Sequence, residues 1–449
     1  MRVNLRLPKG VGDILGKFEK AGFEIYIVGG VVRDAILGKL LYDWDFTTNA
    51  TPEEILKLFP DGFYDNKYGT VGIRAGELEG LRPYEITTFR TEHGYSDKRH
   101  PDKVAWGKTL EEDLARRDFT INALALNKNL EVIDPFGGMD DLKNKLIRAV
   151  GDANQRFGED ALRMMRAVRI AAQPGFTIEE TTLQAIQANA GNIKQIAAER
   201  IRDEVFKLLM SDYPSDGYKL LRSSDLGEQI FPEMEKTFGV EQKSPGRHHI
   251  YDVGTHSVES LKFCVSSDPV TRLATLIHDV GKVRTQKVYP DGRITFYNHE
   301  MESARIAQNI AERLRFSNDQ KDKFVRLVRW HQFTVDERQT DSAIRRILKN
   351  VGLANMQDML ALRVADRLGG GARATSWRLE EFKTRLVEVQ KQPFSVQDLK
   401  VNGNDVMKIK KLKPGPQVGK YLEALFTEVE KGLPNEKEEL LEKLLKLTL

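Results

Sequence analysis

A chain of 449 residues has room for about two to four domains with cores of their own. Its 69 basic and 66 acidic residues nearly cancel, to +3, which excludes a uniformly basic coat; a polynucleotide partner needs a local basic face. The single cysteine, Cys264, excludes an internal disulfide and a cysteine-built zinc cluster. There is no long uncharged apolar run, so the expectation is a soluble cytoplasmic protein without a membrane partner.

The richest stretch comes early, at Ile25–Asn49. Phe23–Val28 predicts a strand that stops at Gly29-Gly30, residues that let backbone approach a ligand closely. Arg33 follows in the first turn of a predicted short helix, where free amides favour an anion. Asp43 and Asp45 are two apart on a predicted second strand, so both carboxylates face one way. A phosphate cradle followed by paired carboxylates suits metal-assisted chemistry on a nucleoside triphosphate, in which two cations roughly 3.5–4 Å apart clamp the attacking and leaving oxygens. Two solvated acids beside an ordinary turn is the competing interpretation.

Thr51-Pro52-Glu53-Glu54 carries the marks of a capped helix start. Strand-like pieces follow at Thr70–Ile73 and Pro83–Arg90. Glu85 on the latter is a candidate third carboxylate, with a structural acid preferred. Thr91–Lys108 is polar and Gly/Pro-containing, and predicts a long loop that orders on binding. Leu110–Leu126 starts a helix and then places Arg116-Arg117-Asp118 before an apolar run. Paired arginines can grip a triphosphate while Asp118 orients one guanidinium; a surface salt-bridge cluster is the alternative. Asp134–Gly138 closes the segment with a tight turn.

From Phe157 the period becomes helical, with Asp160, Arg163, Arg166 and Arg169 at successive steps of three along one predicted helix. An ionised Asp only accepts hydrogen bonds and Arg only donates. Asp160 and Arg163 side by side therefore complement the amino group and ring nitrogen of cytosine or adenine, and oppose uracil and guanine. The competing interpretation is an ordinary intrahelical ion pair worth a few tenths of a kcal/mol. Further on, six of the eight histidines lie between His248 and His331. His256, His278-Asp279, His299, His331 and Asp366 sit in or beside helical segments, a ligand set suited to a divalent transition metal; His248 and His249 have no clear role. The tail beyond Arg373 is Lys/Glu-rich and helical, with lysines between 408 and 413 that present either a solvated face or an RNA-backbone contact.

Taken together, VGGVVRD, DWDF, LEEDLARRDFTINA, DPFGG and RFGEDALRMMRAVR resemble, in order, the class II tRNA nucleotidyltransferase and bacterial poly(A) polymerase family. The resemblance covers about the first 210 residues. It implies an α+β fold: a polymerase-β-like nucleotidyltransferase head (1–150) followed by an all-α neck (151–244), body and tail. It further implies that Asp43 and Asp45 hold catalytic Mg2+. Gly29, Gly30, Arg33, Arg116, Arg117 and Asp118 would bind the nucleotide, and Asp160 and Arg163 would select its base beside Arg166 and Arg169. Residues 245–370 resemble an HD metal-dependent phosphohydrolase domain, with residues 371–449 as tail. In that pattern His256, His278, Asp279 and Asp366 are the core ligands and His299 and His331 match the extra ligands of binuclear members. The metal would be Ni2+, Mn2+, Co2+ or Fe2+, and substrates of such domains include 2′,3′-cyclic phosphates.

The expected activity is addition or repair of CCA at the 3′ end of tRNA from CTP and ATP, without DNA, by a monomer or homodimer. A-adding and poly(A)-synthesising enzymes share the scaffold; the loop at Thr91–Lys108 argues against a CC-only enzyme. Two rivals come from other classes. One is a phosphohydrolase or guanosine-alarmone enzyme dominated by the HD region, whose domain order is the reverse of this one. The other is a non-catalytic RNA-binding protein.

Overall fold

The strand Ile25–Val28 (β1) lies inside a seven-stranded mixed sheet, shorter at its start than the sequence pattern predicts. The other strands are Asp45–Thr48 (β2), Phe63–Asp65 (β3), Thr70–Ile73 (β4), Tyr84–Thr88 (β5), Ala125–Leu126 (β8) and Val132–Ile133 (β9). Their order is β3-β4-β5-β2-β1-β8-β9, with β2 and β5 parallel and the other neighbours antiparallel. The computed structural model describes residues 1–41, 43–65, 69–74, 83–93, 103–173, 175–242, 250–333, 338–390 and 396–448.

Alternation along β1 explains why the sheet is covered on both sides. Ile27 joins a core with Phe46 of β2, Ile86 of β5 and the helices Lys9–Lys20 (α1) and Pro52–Leu58 (α3). Val28, its neighbour, faces the other way into a smaller cluster with Leu114, Ala125 and Val150. Each such buried aliphatic side chain contributes about 1.5–3 kcal/mol. The start of α3 is as its sequence predicts: Thr51 accepts from the Glu54 amide and Glu54 returns the bond, a complete capping box.

Three expectations are corrected. Asp43 is not on a strand, because β2 begins only at Asp45. The segment Thr91–Lys108 is not simply a loop: Arg90–His93 (β6) and Lys103–Trp106 (β7) pair antiparallel, and residues 94–102 between them lie outside the described residues. Thr91, Val104 and Trp106 are β-branched or aromatic and suit a ladder in these short arms. The helix expected from Phe157 is two helices, Ala153–Glu159 (α6) and Leu162–Ala171 (α7), because Asp160 takes an extended backbone (φ −141°, ψ 104°) at the C-terminal end of the first. Its carboxylate then accepts from the Leu162 amide at 3.0 Å, capping the second. Between sheet and neck run Gly30–Ile36 (α2), Leu110–Ala115 (α4) and Gly138–Lys143 (α5), and beyond it Glu180–Asn189 (α8) and Ala198–Leu209 (α9).

The chain forms two compact units. The first is Met1–Phe238 with Ile310–Phe316, and it holds the sheet and the neck helices. The second is Gly239–Asn309 with Ser317–Leu449 and is almost entirely helical. The helices there that carry the predicted metal ligands, or end at them, are Val253–Lys262, Pro269–Ile277, His299–Arg313, Asn318–Trp330 and Met356–Gly369. The end of the chain packs Val406, Leu425, Leu440 and Leu444 from three helices into a core of its own. Among the described residues no helix is long and apolar enough to cross a membrane.

Candidate nucleotide site and metal centre

The end of β1, α2 and the start of α7 enclose a cavity of about 380 Å3. Its polar wall contains Gly29, Gly30, Arg33, Asp43, Asp45, Arg117, Asp118, Arg166 and Arg169. Gly29 has φ 83°, and a Cβ there would stand 3.2 Å from Arg117 Nη1 and 3.4 Å from Asp45 Oδ2. Only glycine combines that backbone with so close a meeting of carboxylate and guanidinium. Asp43 and Asp45 both reach the cavity although just one is in a strand.

Asp45 is pushed up to about 6, first by burial, then by Glu85 and to a lesser extent Asp43, with Arg117 opposing. Glu85 is its register partner across the parallel pair, but it does not line the cavity. Two acids this close to a third, in a partly buried pocket, favour a bound cation, which is the charge test a magnesium site must pass. Asp118 behaves oppositely. Burial pushes it up, but Arg166, with a hydrogen bond from Asn122, outweighs that and holds it near 2. Arg166 donates through Nε at 2.8 Å, and its Nη2 lies 2.7 Å from the same Asp118 oxygen. Asp118 thus links the head to α7 while its other oxygen accepts from Asn122 at 3.0 Å and the Phe119 amide at 2.9 Å.

The Arg116-Arg117-Asp118 triplet divides. Arg116 does not line the cavity; its Nε and Nη2 grip Asp113 at 2.9 and 2.7 Å. Asp113 is fully buried, and although burial raises it, Arg116 and Arg117 hold it low. Arg33 spans Asp34 (2.9 and 3.0 Å) and Asn122 (2.7 Å).

Asp160 and Arg163 also do not line the cavity, and they do not pair with each other. Asp160 is held by Arg200 of α9 at 2.8 Å, and Arg163 by Glu159 at 2.5 Å. Arg163 also donates to the Arg116 carbonyl at 3.2 Å, which links the neck to the head. Arg169 donates to buried Glu204 at 2.8 Å. Of these partners, Asp113 was legible as the i,i+3 and i,i+4 neighbour of the arginines. Arg200, 40 positions from Asp160, has no local signal.

In the second unit the six predicted ligands meet. Asp279 Oδ1 lies 3.2 Å from His299 Nε2 and 3.6 Å from His331 Nε2; Oδ2 lies 3.3 Å from His278 Nε2 and 3.5 Å from His256 Nε2. Asp366 Oδ1 is 3.1 Å from His256 Nε2. Two donor sets result, His256/His278/Asp279 and Asp279/His299/His331, all buried. The Nδ1 atoms of His278, His299 and His331 lie 2.7, 2.9 and 2.7 Å from backbone carbonyls, which turns each Nε2 inward. His278 Nε2 is buried without a well-formed hydrogen bond, as expected of a nitrogen kept for a cation. Burial lowers His278, but Asp279 and Asp366 outweigh it and raise it to about 10. His331 is lowered, chiefly by burial. Lys282 Nζ, 2.6 Å from Asp279, was not foreseen. His248 and His249 lie outside the described residues.

Residues 25–148 match the family described as Poly A polymerase head domain, 175–238 the probable RNA and SrmB-binding site of polymerase A, and 294–444 the putative tRNA nucleotidyltransferase domain 2. A CCA-adding enzyme of Pediococcus pentosaceus is 35% identical over 418 residues, 92% of this chain and 91% of that one. The chain belongs to the CCA-adding enzyme family. Some alignments to other CCA-adding enzymes are shorter. That of Lactobacillus helveticus is 48% identical over 218 residues, 48% of this chain, and the chain spans about half (54%) of that relative's length. The Bacillus stearothermophilus CCA-adding enzyme, solved with CTP, superposes with TM-score 0.70 at 28% identity over 97% of this chain and 96% of that one. A Thermotoga maritima CCA-adding enzyme solved with tRNA shares the fold at 21% identity and TM-score 0.59, over 99% and 98% of the two chains.

Proposed function

We propose that this chain adds or repairs the CCA end of tRNA by template-independent transfer from CTP and ATP. The observation that carries the reading is the single cavity in which Asp43 and Asp45 meet Arg117, Arg166 and Arg169, within a chain related along nearly its whole length to a CCA-adding enzyme. The terminal 3′-hydroxyl of the RNA attacks the α-phosphorus in line; a new P–O bond forms, the α–β bridge breaks, and pyrophosphate leaves. Asp43 and Asp45 hold the magnesium, which neutralises the developing charge and lowers the cost of deprotonating the hydroxyl. Arg117, Arg166 and Arg169 take the triphosphate, with Arg33 released from Asp34 when phosphate competes for its fork. Asp160 and Arg163 read the base after exchanging Arg200 and Glu159 for it. The hairpin β6–β7 supports a complete enzyme over a CC-only one. The decisive experiment offers tRNAs ending before, within and one residue short of CCA, with CTP, ATP or both. Stepwise completion of CCA supports the reading, and ATP-only extension into a long tail overturns it in favour of poly(A) synthesis.

The six-residue cluster favours a second reading: a divalent transition-metal centre in an HD-type domain with phosphohydrolase chemistry. When bound, the metal supplies an activated water. His256, His278, His299, His331, Asp279 and Asp366 hold it and exclude bulk solvent. Elemental analysis of the purified chain tests this, and a protein that takes up no Ni2+, Mn2+, Co2+ or Fe2+ overturns it.

A further inference from the structure

Asp113 of α4 is fully buried and does not line the nucleotide cavity, yet it faces two arginines of the head. Arg116 follows it by three positions and Arg117 by four, so both reach back over the last helical turn onto one carboxylate. The two contacts are unequal. Arg116 places Nε and Nη2 on Oδ1 at 2.9 and 2.7 Å, whereas Arg117 brings Nη2 only to 3.5 Å from Oδ2.

Arg117 is the member of the pair that lines the cavity. Its other terminal nitrogen, Nη1, comes within 3.2 Å of the position a Cβ on Gly29 would take, and Asp45 Oδ2 within 3.4 Å of that same point. One guanidinium therefore links a buried acid to an acid of the proposed metal site. Burial presses Arg117 down from its ordinary value, and of the carboxylates that oppose this Asp113 acts most strongly, ahead of Asp45 and Asp118. Asp113 in turn is raised by burial and held low by Arg116 ahead of Arg117. A carboxylate this deeply buried is costly without a counter-charge. Arg116 provides that charge through two short bonds, which leaves Arg117 at the limit of hydrogen-bond distance.

We propose that Arg116 and Asp113 are positioning residues for the nucleotide: Arg116 saturates Asp113, so that Arg117 keeps its charge for the triphosphate. The assignment rests on the reading of Arg117 as a triphosphate ligand. Without Arg116, the buried carboxylate closes on Arg117 and draws it out of the cavity. The adjacent arginines thus have different tasks, one gripping phosphate and the other keeping the first available.

The test measures steady-state incorporation of CMP and AMP by the full chain on tRNA lacking part of its CCA end, with a thermal midpoint for each variant. Arg117→Gln should raise KM for CTP and ATP by about tenfold or more. Arg116→Gln should raise both in the same way, with kcat changed by less than about threefold. Adding Asp113→Asn to Arg116→Gln should recover most of that loss, because no buried charge remains to draw Arg117 away. Arg116→Lys should keep KM within about threefold of the native value and lower the midpoint, since an ammonium neutralises Asp113 without reproducing the fork. Should Arg116→Gln alone fail to fold, the double variant decides: a near-native KM supports the positioning role, and a KM raised as in Arg117→Gln overturns it. A double variant no better than Arg116→Gln, or Arg116→Lys as impaired as Arg116→Gln, overturns the positioning role alone and makes Arg116 a direct phosphate ligand. A KM indifferent to Arg117→Gln overturns the triphosphate reading, and the inference with it.

Discussion

Arg166 on the first long neck helix places two nitrogens, Nε and Nη2, on one carboxylate oxygen of Asp118 in the head. The pair ties α7 to the head beside the cavity that Asp43 and Asp45 line. Arg166→Ala leaves a buried acid unpaired, at a cost of about 1–3 kcal/mol, read as a lowered denaturation midpoint. Incorporation of CMP and AMP should fall together, since the frame serves both. Arg166→Lys should restore part of the stability and less of the rate, because an ammonium cannot reproduce the fork. A variant that loses only one nucleotide would contradict this role.

Asp45 gives a pH dependence. Its folded value, about 6, is above the ordinary aspartate value of 3.8, so the folded chain binds a proton more tightly than the unfolded one. Ionised Asp45 therefore costs stability that returns as pH falls below about 6. Magnesium needs the ionised form, so its apparent affinity should drop about tenfold per pH unit below that value. Asp45→Asn should raise the thermal midpoint of the metal-free protein at neutral pH and abolish incorporation. A destabilised Asn variant would show that the carboxylate is held by partners, and not strained by burial and Glu85.

Arg200 is expected to act as a positioning residue through Asp160. Arg200→Gln should leave the kcat for CTP within a few-fold and raise misincorporation of UTP and GTP, because the carboxylate loses its fixed direction. Arg163→Ala should damage base choice more severely. Comparing kcat/KM for the four nucleotides checks both, and unchanged selectivity in Arg200→Gln would remove Asp160 as its target.

The histidine centre predicts a second pH effect. His278 is raised from the ordinary imidazole value of 6.5 to about 10 by Asp279 and Asp366, against burial. In chelated protein that stabilisation is complete below the unfolded value and is lost as pH rises from about 6.5 toward 10. Ni2+ or Mn2+ replaces the proton, so the decline should flatten when metal is added. Denaturation midpoints across that range, with and without metal, provide the measurement. His278→Ala should remove both the slope and the metal response.

Much of this was legible because chemistry and local structure coincide in short motifs. Gly29 needs positive φ next to a carboxylate, so GG before D-x-D was informative without any tertiary knowledge. The histidine set was readable because few other roles explain so many imidazoles on successive helices. Partnerships were harder. Asp160 and Arg163 look like an intrahelical pair at spacing three, yet the helix breaks at Asp160 and they turn toward Arg200 and Glu159. Arg116 looks equivalent to Arg117, but burial of Asp113 takes one of them away from the cavity. The β6–β7 pairing was hidden because arms of four residues, RTEH and KVAW, are too short to show a clear apolar alternation.

One carboxylate, Asp279, faces two histidine sets with its two oxygens. A single negative charge cannot fully serve two vacant positions, and in the metal-free protein it is shared with an imidazolium and the Lys282 ammonium. A cation held by either set would compete with the His278 proton for that charge. Metal uptake should therefore release a proton, read as acidification when Ni2+ or Mn2+ is titrated into weakly buffered protein.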